Sequence, residues 1–302
     1  MIATSSLPSC SHLTRINLDN LVDSFGWTEH RLRASLLKLV FRWPARTFAR
    51  QVLEFDRLVG EVGIARAARP MLAHYVRRIS VYSELPLPIP PFLALANHPG
   101  LADALSIFLA LDCPDLKIIG LPRPFLFALP HISQRIFYIN PEPADRVVLI
   151  RRVASHLRNG GALLTFPAGR IEPDPDLFPD QALHSLNTWS DSAGLFLRLA
   201  PHTPILPILV RGVIWPPSLR HPPVRLKRTR YEQDKLAAAL QLLTQLILRK
   251  NDLSIRVQLG RPICAADLGR TDTPTIHRAV LDELRRLLHA PLDALTPIYT
   301  FP

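Results

Sequence analysis

The fold turns on the stretch LALANHPGLADALSIFLAL, Leu93 to Leu111. An apolar run opens it, Asn97-His98 and a Pro-Gly turn interrupt it, and a second apolar run resumes near Leu101. The first run reads as a strand over Phe92–Ala96 and the second as a helix over Leu101–Leu111. Ligands in α/β sheets bind outside the carboxyl ends of strands, which is where this reading places His98. Asp103 follows in the first turn of the helix. There its carboxylate can fold back to accept a hydrogen bond from one imidazole nitrogen, fixing the tautomer and leaving the other nitrogen as a general base. The same residues also read as a turn histidine beside an aspartate placed favourably at a helix N-terminus. His-x4-Asp is short and common, so spacing alone leaves both readings open.

Outward from this stretch, short apolar runs alternate with helical ones. Further strands are expected at Lys117–Gly120, Ile136–Ile139, Ala162–Phe166, Ile205–Val210 and Ile255–Leu259. Helices are expected at Ala144–Arg158, Ser190–Ala200, Tyr231–Lys250 and Thr273–Leu288. In the first of these, Val147, Ile150, Ala154 and Leu157 form one face, and Gly160-Gly161 ends it. Strands alternating with helices predict an α/β fold, a mostly parallel sheet flanked by helices. Before it, Asn20 to Arg78 read as helical, with Leu32, Leu36, Leu39, Val40 and Phe41 at helical spacing and Pro44 breaking or kinking the run. Arg31, Arg33, Lys38, Arg42, Arg46 and Arg50 intersperse it, as suits an interfacial amphipathic helix or the cap of a helical subdomain. The chain thus divides into an N-terminal helical cap or membrane-associating segment, 1–85, and a main domain, 86–302. WPPSLRHPPVRLKRTR, from Trp215, is the most loop-like stretch.

Length and composition bound the partners. A chain of 302 residues, 48% hydrophobic and 20% charged, has enough apolar material for a sizeable core. No run reaches the ~18 apolar residues of a membrane span. The first twenty residues lack a basic start followed by an apolar core, so no signal peptide is expected and the protein is placed in the cytosol. A net charge of +11, carried mainly by Arg, fits phosphorylated ligands, anionic lipid headgroups or nucleic acid, and equally a basic solvated surface. Nucleic acid rests on charge alone, without aromatic–basic interleaving or a recognisable module. Cys10, Cys113 and Cys264 are odd in number and widely spaced, suggesting neither a disulfide framework nor a metal site.

NHPGLAD, Asn97–Asp103, resembles the first motif of the glycerolipid acyltransferases, which include the lysophosphatidate and glycerol-3-phosphate acyltransferases. TFPAGRIEPDP, with Phe166, Pro167 and Gly169, is similar to the family's Phe-Pro-Glu-Gly element. PRPFLFALPHISQRIFYINP, TPILPILVRG and IRVQLGRPI resemble its remaining elements in order. The resemblance spans roughly Phe92 to Ile263. Two departures stand out. Ala168 occupies the usual Glu position, followed by Arg170 and Ile171, with Glu172 as a displaced carboxylate. Asn140 stands where the second motif's Arg is expected, with Arg135, Arg146 or Arg151 as substitutes.

The resemblance implies a glycerol-3-phosphate acyltransferase-like fold and direct transfer of a fatty acyl group. His98, oriented by Asp103, would deprotonate an acceptor hydroxyl that attacks the thioester of acyl-CoA or acyl-carrier protein. Asn97, Arg123, Phe166, Pro167, Gly169, Arg170 and Glu172 are the expected acceptor or substrate-binding residues. Backbone N–H groups near Gly169 or at the start of the Leu101 helix would stabilise the oxyanion. No cofactor or metal is expected. The acceptor would be a lysolipid or glycerol phosphate, and the protein would sit on an anionic membrane surface, on the inner face of the cell membrane. Two readings stay beside this one: transfer to a non-phosphate lipid acceptor, and a non-catalytic lipid-binding relative. Arg220, Arg225, Lys227, Arg228 and Arg230 could face phosphates or form a solvated loop. PFLFALPHI could line an acyl groove, enter a membrane interface or pack in the core.

Overall fold

Three strands of one sheet are buried at every residue, and their residues alternate between two separate cores. The computed structural model describes residues 9–87, 89–140, 142–248, 252–269, 272–292 and 297–301. Four helices come first: α1 (Cys10–Phe25), α2 (Arg31–Val40), α3 (Arg42–Val62) and α4 (Ile64–Ala73). There follow β1 (Val76–Ser83), β2 (Phe92–Ala96), α5 (Asp103–Leu111), β3 (Lys117–Gly120), α6 (Pro124–Phe127), α7 (Pro130–Ser133) and β4 (Ile136–Tyr138). The middle of the chain forms α8 (Pro143–Arg158), β5 (Ala162–Thr165), α9 (Pro179–Ser185), α10 (Ser192–Leu199) and β6 (Ile205–Arg211). Last come α11 (Pro216–Leu219), α12 (Pro222–Arg225), α13 (Arg230–Leu248), β7 (Leu253–Leu259), α14 (Thr273–His289) and β8 (Tyr299–Phe301).

The strands form one eight-stranded sheet in the order β4-β3-β5-β2-β6-β7-β1-β8. All neighbours pair parallel except β6 with β7 and β1 with β8. The expected α/β class, a mostly parallel sheet flanked by helices and preceded by helices, is what the chain adopts. On β2, Phe92, Ala94 and Ala96 face the core shared with α3, α4 and α5, while Leu93 and Leu95 face the core of α8, α10 and α14. This two-sided burial explains why the strands read as unbroken apolar runs rather than alternating ones.

The sequence reading needs correction at several points. Helix does not run from Asn20 to Arg78: it begins at Cys10, and by Val76 the chain is a strand. That strand, VRRISVYS, lies between β7 and β8, so the expected division at residue 85 falls between two strands of one sheet. Pro44 does not break the run. The break is at Phe41, and Pro44 sits buried in the first turn of α3, where its missing N–H leaves no helical bond unmade. On α8 the inward face is Ile150, Val153, Ala154 and Leu157, with Val147 half exposed. The loop-like stretch after Trp215 winds into α11 and α12, each started by a Pro-Pro pair whose fixed φ suits a first helical turn. Lys250, the expected end of the helix from Tyr231, lies outside the described residues.

One polar side chain joins the two halves of the parallel sheet beyond the strand ends. Asn97, just past β2, donates from Nδ2 to the Val210 carbonyl at 2.8 Å and accepts the Val210 N–H on Oδ1 at 2.7 Å. The side-chain amide mimics a strand backbone and is itself buried. Asn97→Ala leaves both Val210 groups unpaired in the interior. Denaturant unfolding is expected to show a loss of about 2–6 kcal/mol, at about 1–3 per orphaned group.

Candidate active site

Three strand ends converge on one cavity. His98 follows β2, Phe166 follows β5, and Val213 and Ile214 follow β6, and all four line a hollow of about 610 Å³. It opens where strand order reverses, since β3 and β5 lie to one side of β2 and β6 to the other.

His98 and Asp103 are brought together as their spacing allowed. Nδ1 of His98 lies 2.7 Å from Oδ2 of Asp103. Asp103 is fully buried and also accepts N–H groups from Gly100 at 3.0 Å and Ala104 at 2.6 Å. A carboxylate so loaded with donors fixes Nδ1 as the protonated nitrogen, which leaves Nε2 with its lone pair. The His98 side chain is 31% exposed, and the ring packs on Phe166 with centroids 4.7 Å apart. Burial pulls the imidazole pKa down, but the charges of Asp103 and Glu172 more than offset it, so the net direction is upward from the ordinary value.

The segment after β5 supplies the floor. Pro167 is buried, and Gly169 closes a tight turn by donating its N–H to the Phe166 carbonyl at 3.0 Å. Gly169 has φ of 63°, a conformation that L side chains rarely adopt. Its N–H is therefore committed, which removes it from the expected oxyanion donors. At the other expected place, the N–H groups of Leu101 and Ala102 have no partner within the protein among the described residues, and both residues line the cavity.

Three carboxylates follow at every second position, Glu172, Asp174 and Asp176, and all turn inward. Glu172 is 1% exposed and accepts from the His98 N–H, the Ser185 hydroxyl and the Trp189 indole. Burial pushes its pKa up, and those donors only partly offset the effect. Asp174, also fully buried, accepts the N–H groups of Gly212, Val213 and Ile214 and so shapes the turn after β6. Asp176 pairs with Arg256 and, at 3.8 Å, with Arg211. Gly212 must be glycine there: its φ is 77°, and a Cβ would lie 2.5 Å from the Ser254 carbonyl.

Two expectations about the acceptor residues are thereby corrected. Asn97 spends both ends of its amide on Val210, and Glu172 spends its carboxylate on groups inside the protein. Neither faces an incoming ligand. Arg123 and Arg170 are exposed and line the cavity that His98 lines, and neither has an ion-pair partner among the described residues. Arg170 makes one side-chain contact, to Thr188 Oγ1 at 3.2 Å. Of the possible substitutes for an Arg at Asn140, Arg135 is engaged by Pro114 and Asp115, and Arg146 and Arg151 lie outside the cavity lining.

The rest of the cavity wall is mainly apolar. PFLFALPHI contributes Phe125, Leu126, Leu129 and Ile132, and the sequence reading missed the share that comes from the N-terminal helices and α13. Phe48, Val52 and Phe55 of α3 and Ile64, Met71 and Leu72 of α4 close one side, with Ala238 and Leu242 of α13 beside them. Amphipathic spacing was their only signal, and it marks a helix face without saying that the face meets a hollow. Among the described residues no group of His, Cys, Asp and Glu could hold a metal ion.

No protein-family model matches the chain, and no curated protein matches it. Among solved structures it is similar to the 1-acyl-sn-glycerophosphate acyltransferase PlsC from Thermotoga maritima, at 14% identity and a TM-score of 0.40, over 91% of this chain and 95% of that one. At that identity and score the match is a likeness and no more.

Proposed function

We propose that the protein is an O-acyltransferase that moves a fatty acyl group from acyl-CoA or acyl-carrier protein to a hydroxyl of a glycerol-phosphate or lysophospholipid acceptor. The observation that carries this reading is an Asp-oriented histidine, open at Nε2, at the lip of an apolar hollow. At about 610 Å³ the hollow has the size of a small-ligand site. Its lining is that of a hydrocarbon site with a few polar groups at one end.

In the proposed reaction Nε2 of His98 takes the acceptor's hydroxyl proton as its oxygen attacks the thioester carbonyl. Asp103 stabilises the imidazolium that forms. The N–H groups of Leu101 and Ala102, at the N-terminus of α5, face the developing oxyanion. The carbon–sulfur bond then breaks, and the thiolate takes the proton from His98. Arg123 and Arg170 hold the acceptor's phosphate. A general base supplies about 10²–10⁴-fold, and holding both substrates in place supplies much of the rest.

The reading extends to the membrane. Among the described residues no helix is long and apolar enough to cross a membrane. Helix α2 packs Ala34 and Leu37 inward, with Phe41 just past its end, and leaves Leu32, Leu36 and Leu39 exposed at 89%, 64% and 71%, beside exposed Arg31, Arg33 and Arg42. An apolar stripe flanked by cations suits the interface of an anionic bilayer, the site proposed for this protein on the inner face of the cell membrane.

Purified protein given labelled acyl-CoA and a panel of lysolipids and glycerol 3-phosphate is expected to acylate one acceptor. His98→Ala should lower that transfer at least about a hundredfold. Equal background in both proteins would sink the reading and favour a non-catalytic lipid-binding relative. With Arg123→Ala and Arg170→Ala, KM for a phosphate acceptor should rise more than kcat falls, and an unchanged KM points to a non-phosphate acceptor. Because His98 must be neutral to act and its pKa lies above the ordinary value, the acid limb of kcat/KM is expected above about pH 6.5. Leu36→Glu should weaken sedimentation with anionic vesicles while leaving the unfolding midpoint within a few degrees.

A further inference from the structure

The GRIEPDP segment departs most from the Phe-Pro-Glu-Gly pattern, and acyl transfer as described above gives Glu172 no role. Its surroundings do. His98 and Glu172 bond reciprocally across the floor of the site: the His98 N–H donates to Oε2 at 3.0 Å, and the Glu172 N–H donates to the His98 carbonyl at 2.8 Å. The other oxygen, Oε1, is fixed from behind by the Ser185 hydroxyl at 2.9 Å and the Trp189 indole at 2.7 Å. Both of those groups stand at the end of α9 or just after it. The carboxylate is therefore full of donors, shut off from water and held against the main chain of the reacting histidine.

We infer that Glu172 is a positioning residue for His98: it holds the histidine's backbone at the strand end and keeps a second negative charge close to the histidine, from a different chain segment than Asp103. A histidine at the end of a strand has nothing of its own to hold it once the ladder stops. Asp103 grips the ring and Glu172 grips the main chain, so the ring's place is fixed from two elements. The charged groups around His98 are Asp103 on α5, Glu172 and Arg170 on the segment after β5, and Arg123 before α6. On α9 the ionisable groups are Asp180 and His184, both exposed. The upward direction of the His98 pKa includes a contribution from Glu172, which agrees with this geometry.

The inference rests on the acyltransferase reading for its catalytic meaning, and its test is readable without it. Glu172→Gln keeps the length and an acceptor oxygen and removes the charge. The imidazole titration of His98, assigned by difference from His98→Ala, is followed by NMR beside the pH profile of acyl transfer. The midpoint is expected to fall by about one pH unit. The acid limb of kcat/KM should move down with it, and plateau kcat should drop roughly threefold or more, as a weaker base gives, with KM within about twofold. Glu172→Asp, which restores the charge, should return the midpoint at least halfway.

If Glu172→Gln does not fold, the native protein supplies the measurement: the Trp189 indole N–H resonance, assigned by Trp189→Phe, should shift with the midpoint of His98. An unchanged midpoint in folded Glu172→Gln, or an indole resonance indifferent to His98, overturns the inference and leaves acyl transfer standing. A shifted midpoint in a protein that transfers no acyl group supports the pairing and overturns the acyltransferase reading.

Discussion

A carboxylate taken out of water must have its solvation replaced by fixed donors, and three such replacements hold this site together. Asp103, Glu172 and Asp174 are each at most 1% exposed. Each accepts at least one N–H from a chain segment that has just left the sheet: the turn after β2 for Asp103, His98 for Glu172, and the turn after β6 for Asp174. Strand ends are where ladder bonds stop and backbone N–H groups need partners. The carboxylates answer that need and in doing so fix the loops in register with one another. The side chain of His98 is the one member of the arrangement left facing outward with a vacant nitrogen.

The same constraint explains what was legible beforehand. Strands buried on both faces leave apolar runs, and the helices between them leave amphipathic ones, so the core from β2 to β7 could be read with boundaries off by one or two residues. The His98–Asp103 pair could be read because both partners lie within one strand–turn–helix unit. Asn97 and Glu172 were misplaced because their partners, Val210 and the Trp189 indole, are distant in sequence or unmarked by any local pattern. A buried acceptor and an exposed one look alike in a sequence. β1 was hidden for a related reason: its two arginines at 77 and 78 continue the basic spacing of the preceding helices, and only pairing with β7 makes it a strand.

The cavity also shows what periodicity leaves out. Helices α3 and α4 contribute Val59, Ala67 and Ala68, which are almost wholly buried, to the core, yet a few positions away Phe48, Ile64, Met71 and Leu72 border a hollow. Both sets sit on the same apolar helix faces. Whether such a face meets a neighbour or a space depends on how far the helix stands from the sheet, and Phe108 of α5 together with Leu129 and Ile132 from the α6–α7 region share that wall. The N-terminal helices are thus part of the container as well as part of the core.

The place of β1 carries a consequence for how the two ends of the chain depend on each other. Seven register pairs run from Val76–Ser83 to Leu253–Leu259, and on the far side Ile79–Val81 meets Tyr299–Phe301. A chain cut just before β2 would lose a strand from inside the sheet rather than from its rim. β8 would have nothing to add to, and β7 would present a row of bare peptide groups to any other extended segment. β1 and the two C-terminal strands β7 and β8 therefore form a stitched seam, and the wall of the hollow is tethered by backbone to the sheet it leans against.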